Sequence, residues 1–360
     1  MQLTIIPREP SVLLAENRYK KKQRNLALMK FSTYFKNQGY NVDYNGQGVK
    51  TKLKDHYDYI IYSTVFTYHF FADIDAIKWY QENYPGSKIM VGGVSATLLV
   101  DKFYDYTGIC PHQGLYSEVE CLKPDYNLFP GHKMENMSQV FTSRGCKNNC
   151  GFCAVKKLEP SYHINYKWRN SIDLDKPCVM VHDNNLTAGD INHFQDLMSY
   201  LKEKKLSVVF DNGFDCRFFN DEHLECIRDV KFQSSGLRFA FDSMNQDGKI
   251  QKAIKKCLDA GISGSKIMVY VLFNFKDTFD EAWYRADQIR QLGARPYPQQ
   301  YRPLDDVVRQ NGHVSEHWDK DLLQNFRYYW MMPGIYSKYT WDEYLKAGGK
   351  QMGEQCRKGV

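Results

Sequence analysis

SRGCKNNCGFC, residues 143–153, sets three cysteines into eight positions, with three residues in the first gap and two in the second. Three is an awkward number. It cannot close into paired disulfides, and it falls one short of the four ligands of a saturated structural metal site. The chain carries 10 cysteines in all. Its N-terminus, MQLTIIPREPSVLLAENRYKKKQR, lacks the charged start, apolar run and cleavage site of a signal peptide, and no apolar run reaches the length of a membrane span. The expectation is a cytoplasmic protein that makes no membrane contact. Thiols stay reduced in that compartment, so a tight cysteine cluster points to metal before disulfides.

The residues around the cluster say where it lies. SQVFTS (138–143) directly precedes it and reads as a strand. Further strand patterns follow at PCVMVHD (177–183), LSVVFD (206–211), LRFAFD (237–242), KIMVYVLF (266–273) and, more weakly, RPYPQQYRP (295–303). Helical patterns separate them: DINHFQDLMSYLKEKK, DEHLECIRDV, QKAIKKCLDAG and DEAWYRADQIRQLG. Six such strand–helix units predict a partial (β/α)6 barrel, in which chemistry gathers at the C-terminal ends of the strands. Upstream, QLTIIP (2–7), YNVDY (40–44), YDYIIYSTVF (57–66) and KIMVGG (88–93) read as strands, with helices over 25–39 and 73–86. That alternation predicts an α/β, doubly wound, Rossmann-like domain. The expected division is 1–125 for this domain, 126–305 for the barrel, and 306–360 for a partly helical, aromatic-rich extension.

With 360 residues the chain can bury one or two cores, and its charged share of 25% is ordinary for a globular protein. The net charge of +6 permits an anionic partner without requiring one. Within that frame the missing fourth cysteine becomes informative. A four-iron, four-sulfur cluster ordinarily takes four thiolates. Cys146, Cys150 and Cys153 can hold three irons and leave the fourth open to a small molecule, which a sealed electron carrier cannot do.

Cys-x3-Cys-x2-Cys after the first strand of a six-unit barrel resembles the radical S-adenosylmethionine enzymes. The resemblance implies a [4Fe-4S] cluster on Cys146, Cys150 and Cys153, with S-adenosylmethionine chelating the open iron. Reductive cleavage of the sulfonium would give a 5′-deoxyadenosyl radical that abstracts hydrogen from an unactivated carbon of an organic substrate. An electron donor such as flavodoxin or ferredoxin is implied as well. Phe152 matches the family's aromatic residue before the last cysteine, where it packs near the adenine. Polar residues at strand ends hold the methionyl carboxylate and ribose in such enzymes. Here they are Asp183 and Asn185 after the second strand, Arg217 after the third, and Asp242 and Ser243 after the fourth. The family's usual Glu-Ser pair appears as Asp242-Ser243. Each of these residues has a local alternative as a helix cap or turn former. The residue that carries the catalytic hydrogen is not legible.

An α/β domain ahead of such a barrel resembles the group with an N-terminal cobalamin-binding domain. VGGVSATLL (91–99) is similar to that domain's glycine turn, and DYNLFP (125–130) to its joining segment. The resemblance implies cobalamin-dependent methyl transfer. Against it, the Asp-x-His-x-x-Gly of cobalt-ligating domains is missing, and the corresponding stretch is basic (Arg18, Lys20, Lys21, Lys22, Arg24). That run reads as a solvated helix face or as a contact for an anion. Methylthiotransferases match poorly, since only Cys110 and Cys121 lie in the first domain. Two alternatives stand beside this reading. One is a cobalamin-free radical enzyme acting on a nucleobase, nucleotide or other small substrate. The other is a non-catalytic nucleic-acid-binding module with a structural zinc, for which His163 is the nearest fourth ligand. Tyr297, Tyr301, Arg302 and the tail NFRYYWMMPGIYSKYTW read as core, or as a stacking surface for a substrate ring.

Overall fold

The structure, a computed structural model, describes residues 8–17, 24–46, 50–308 and 312–358. The expected strand at 2–7 and the basic residues Arg18, Lys20, Lys21 and Lys22 lie outside these. The first strand described is β1 (Ser11–Glu16), downstream of the strand expected at 2–7. Its run SVLLAE has no polar alternation because both of its faces are covered, as in a parallel sheet. Leu13 and Ala15 enter one core with Phe70, Ile74 and Ile77, while Val12 and Leu14 enter another with Leu28 and Phe35.

Four parallel strands follow the order β2-β1-β3-β4, with β2 at Asn41–Asn45, β3 at Tyr59–Thr64 and β4 at Lys88–Gly93. Helix α1 (Leu26–Asn37) covers one face, its N-cap Asn25 accepting from the Leu28 amide. Helices α2 (Phe70–Asn83) and α4 (Val100–Thr107) cover the other, with α3 (Val94–Leu98) bridging from β4. Short helix α5 (Ser117–Glu120) leads to the joint, where Asp125 accepts from Ser32 Oγ at 2.6 Å and Lys36 Nζ at 2.7 Å. Arg24 is no solvated helix residue. It is buried, donates to the Met137 carbonyl and lies 5.0 Å from the Tyr126 ring.

All six expected strands of the second block form: β5 (Met137–Val140), β8 (Cys178–Val181), β9 (Ser207–Phe210), β11 (Leu237–Ala240), β12 (Ile267–Phe273) and β13 (Arg295–Gln300). Helices α7 (Ile191–Glu203), α8 (Asp221–Ile227), α9 (Lys249–Asp259) and α10 (Phe279–Gln291) alternate with them. Several details differ from the expectation. The ladder breaks between β9 and β11, giving one sheet ordered β10-β9-β8-β5 and another ordered β11-β12-β13. An unforeseen edge strand, β10 (Lys231–Phe232), pairs with β9 on the side where β11 would continue. Beyond it β11 meets the third unit through a parallel bridge between Phe214 and Phe239, with the Phe214 amide donating to the Arg238 carbonyl at 2.7 Å. The first crossover also lacks a full helix. Ser143 does not extend β5 but belongs to β6 (Ser143–Arg144), antiparallel to β7 (His163–Ile164), and α6 (Val155–Leu158) lies between them. The cysteines occupy the loop of this hairpin.

The aromatic tail is core. Helices α11 (Lys320–Met331), α12 (Pro333–Tyr336), α13 (Trp341–Lys346) and α14 (Lys350–Lys358) form the C-terminal part. Phe326, Tyr329, Trp330 and Tyr344 are buried with Val271, Phe273 and Ala282. Among the described residues no helix is long and apolar enough to cross a membrane. Phe326→Ala therefore costs about 3–5 kcal/mol of stability, read as a shifted midpoint in urea unfolding. A stacking platform would instead lose ligand affinity and keep its stability.

Candidate functional site

The cysteine loop begins from a fixed backbone. After β5, the Thr142 amide, the Thr142 hydroxyl and the Ser143 hydroxyl all donate to the buried Asp183 carboxylate, at 2.6, 2.6 and 2.7 Å. Gly145 follows with φ +71°, and a Cβ there would lie 2.3 Å from the Ser161 carbonyl, so only glycine passes this point. Its amide donates to Glu159 at 2.6 Å, and the other oxygen of Glu159 accepts from Arg144 at 3.0 Å. Arg144 also grips Glu120 of the first sheet's domain with two donors, at 2.7 and 2.9 Å. Past Gly145 the chain turns through Cys146, Cys150 and Cys153, all free thiols of intermediate exposure. The Asn148 amide lies 3.4 Å from Cys146 Sγ, and the Cys153 amide donates to the Cys150 carbonyl at 3.0 Å.

The three thiols line one cavity of about 300 Å³. Around it stand residues from five further parallel strand units: Asn185 after β8, Asp215 and Arg217 after β9, Asp242 after β11, Tyr270 within β12 and Gln299 within β13. A second space of about 550 Å³ adjoins it, sharing Cys150, Phe152, Arg217 and Asp242 and reaching Ser243 and Phe275. A third cavity, of about 290 Å³, lies apart from these, between the C-terminal edge of the first sheet and Phe141, Arg144, Leu158 and Glu159.

Most residues singled out from the sequence meet here. Phe152 borders both cavities at the cysteine loop, its ring 5.7 Å from that of Phe275. Asn185 accepts from the Ala188 amide at 3.2 Å, which ties its side chain into the local turn. Arg217 is clamped on Asp215 at 2.8 and 2.6 Å, and Asn148 of the cysteine loop donates to the same carboxylate at 2.8 Å. Ser243 borders the larger space while capping the turn over Met244–Gln246. Asp183 departs from expectation. It lines neither cavity, because the Thr142 and Ser143 hydroxyls enclose it, and it acts by positioning the loop. Tyr297, Tyr301 and Arg302 line neither cavity either; Tyr301 packs on Phe275 at 4.6 Å, and Arg302 lies 5.4 Å from the Tyr68 ring. Cys216 is buried outside the cavities, its thiol pushed up to about 12 by burial.

The sequence reading missed Gln246, Tyr270 and Gln299. Gln246 Oε1 accepts from the Asp242 amide at 2.6 Å and fixes the turn that presents Asp242. Below them a polar layer crosses the strands. His182 lies 3.0 Å from Gln139 and 3.1 Å from Asp211, Asp211 accepts from Arg238 at 2.7 Å, and Arg238 donates to the Tyr270 hydroxyl at 2.8 Å.

The thiols of Cys150 and Cys153 are raised, first by burial and then by neighbouring thiols and Asp242. A bound cation would reverse that balance by favouring thiolates. Among the described residues no three His, Cys, Asp or Glu side chains are arranged to hold a single metal ion. His163 is exposed on β7, its Nδ1 3.4 Å from the Ser161 carbonyl oxygen. An iron-sulfur cube makes a different demand, spreading its thiolates around a cluster rather than drawing them onto one ion.

No family model matches the chain, and no curated protein matches it. Its structure is similar to two crystal structures of SuiB from Streptococcus suis. One, bound to S-adenosylmethionine, has 12% identity, covers 70% of this chain and 61% of that chain, and gives a TM-score of 0.34. The other has 11% identity, covers 77% and 63%, and gives 0.36. The chain thus spans less than two thirds of the length of the structures it resembles. Values this low assign no function.

Asp242 offers a test of the site's electrostatics. Part of its side chain is open to the cavity, but protein crowds the carboxyl, and burial raises it from 3.8 to about 6 against the pull of Arg285. The folded protein then holds more protons than the unfolded chain between about pH 4 and 6, so this group's contribution falls as pH rises through that window. Asp242→Asn gains about 1–2 kcal/mol over wild type on moving from pH 4 to pH 7, after allowance for solvent in the cavity. Paired urea titrations measure this, and a pH-independent difference would mean an unshifted carboxyl.

Proposed function

We propose that the protein is an enzyme that holds a [4Fe-4S] cluster on Cys146, Cys150 and Cys153 and uses S-adenosylmethionine to functionalise an unactivated carbon of an organic substrate. The carrying observation is the meeting of three free thiols from one loop with residues of five further parallel strand units around one cavity. When bound, the cluster and its nucleoside supply one-electron cleavage of a sulfonium and hydrogen abstraction from carbon. The chain's residues do the holding. Asn148 and Arg217 converge on Asp215, which ties the cysteine loop to the end of β9. That clamp occupies Arg217 Nε and Nη2 and leaves Nη1 for a ligand carboxylate. Asp242, set by Gln246, is assigned to ribose hydroxyls, and Phe152 to the adenine face. The adjoining space of about 550 Å³, walled by Phe152, Phe275 and Asp242, is assigned to the substrate. A nucleobase or nucleotide suits a wall of rings and polar groups. The electron comes from a donor such as flavodoxin or ferredoxin.

Cobalamin-dependent methyl transfer fits less well than cobalamin-free chemistry. The cavity at the first sheet is about 290 Å³ and is closed on one side by Phe141, Arg144 and Leu158. That is the lower edge for drug-sized ligands, roughly 300–1,000 Å³. A corrin ring with its nucleotide tail is larger than such ligands, so no step is assigned to it.

Anaerobic reconstitution tests the proposal. Wild type takes up about four irons per chain, turns brown and releases 5′-deoxyadenosine from S-adenosylmethionine under reduction. Cys146→Ala, Cys150→Ala and Cys153→Ala each lose the colour and at least 100-fold of the product, an order-of-magnitude estimate for removing a cluster ligand. Stoichiometric zinc in a colourless protein would overturn the reading.

A further inference from the structure

The cavity at the first sheet belongs to no step above, yet it is a formed site. It lies at the C-terminal ends of β3 and β4, over the first turns of α1, on the carboxyl edge where open α/β sheets bind ligands. Its walls are mainly apolar, with Phe31, Met90, Val94, Leu115, Phe141 and Leu158 contributing. Aromatic rings lie along one side: Tyr116 is 5.2 Å from Phe31 and 5.1 Å from His112.

The charged groups that reach the cavity neutralise one another. Lys30, 2% exposed, donates to the Glu120 carbonyl and lies 3.7 Å from its carboxylate. Arg144 spans Glu120 and Glu159. An ionic ligand would bring an unpaired charge into this setting at a steep desolvation cost, whereas a neutral one would not. Size narrows the class further. An apolar cavity of about 150 Å³ takes benzene, so about 290 Å³ admits a two-ring molecule.

We infer that this cavity is a binding site for an uncharged, predominantly apolar small molecule of one or two rings. Its ligand is not the reacting substrate. The cavity shares no lining residue with the cysteine cavity, and α6 stands between them, with Val155 and Lys156 on one side and Leu158 on the other. The occupant nevertheless touches Arg144 and Glu159, and Glu159 holds the Gly145 amide beside Cys146. Occupancy therefore bears on the shape of the cysteine loop.

The neutral naphthalene dye prodan is the probe. The reconstituted wild-type protein binds one equivalent saturably, with blue-shifted emission, and saturating S-adenosylmethionine leaves the dye in place. Met90→Trp and Leu115→Trp each fill the cavity and weaken binding at least tenfold, with unchanged far-ultraviolet circular dichroism. If one variant fails to fold, the other carries the comparison. Absence of saturable binding by wild type, undiminished affinity in a folded variant, or displacement of the dye by S-adenosylmethionine would each overturn the assignment.

Discussion

Two carboxylates, Asp183 and Glu159, hold the backbone that enters the cysteine loop, and the arrangement of thiols depends on them. Asp183 gathers one amide and two hydroxyls, while Glu159 takes the Gly145 amide and the Arg144 guanidinium. Hydrogen bonds to a carboxylate inside a protein are stronger than neutral ones, and leaving such a group unpaired is expensive. The loop cannot let go of either anchor cheaply. A stretch such as CKNNCGFC, with little apolar surface of its own, would otherwise pay the full conformational entropy of ordering. Three thiols on a free loop make a poor chelate; three on a pinned loop are preorganised.

The same anchors join the two halves of the molecule. Arg144 reaches from the cysteine hairpin to Glu120, and Glu120 lies beside Lys30 of α1. Asp125 ties the joining segment back to α1 through Ser32 and Lys36. Helix α6 then becomes a partition, with the cysteine cavity on one side and the apolar cavity of the first sheet on the other. The first domain therefore does not stand apart from the chemistry proposed here. It supplies one wall of the structure that shapes the loop.

Much of this was legible in the sequence, for reasons that can be named. Short β-branched and aromatic runs mark the six strands of the second block, and the cysteine spacing marks the loop. Local pattern failed where tertiary contacts decide. SVLLAE looks unlike an alternating strand because helices cover both of its faces. Asp183 has the credentials of a ligand residue until the Thr142 and Ser143 hydroxyls are seen around it. Tyr270 and Gln299 lie within strands, and nothing local says which strand positions face the cavity. Gln246 was within reach, since it follows Ser243 at capping-box spacing and closes that box in the structure.

The central claim is that one iron carries no protein thiolate and binds the nucleoside instead. Electron–nuclear double resonance on the reduced cluster tests it directly, using S-adenosylmethionine labelled with nitrogen-15 at the amino group and oxygen-17 at the carboxylate. The account predicts hyperfine coupling from both labels to the cluster spin. A cluster signal unchanged by saturating labelled nucleoside, with every iron site held by protein ligands, would contradict it.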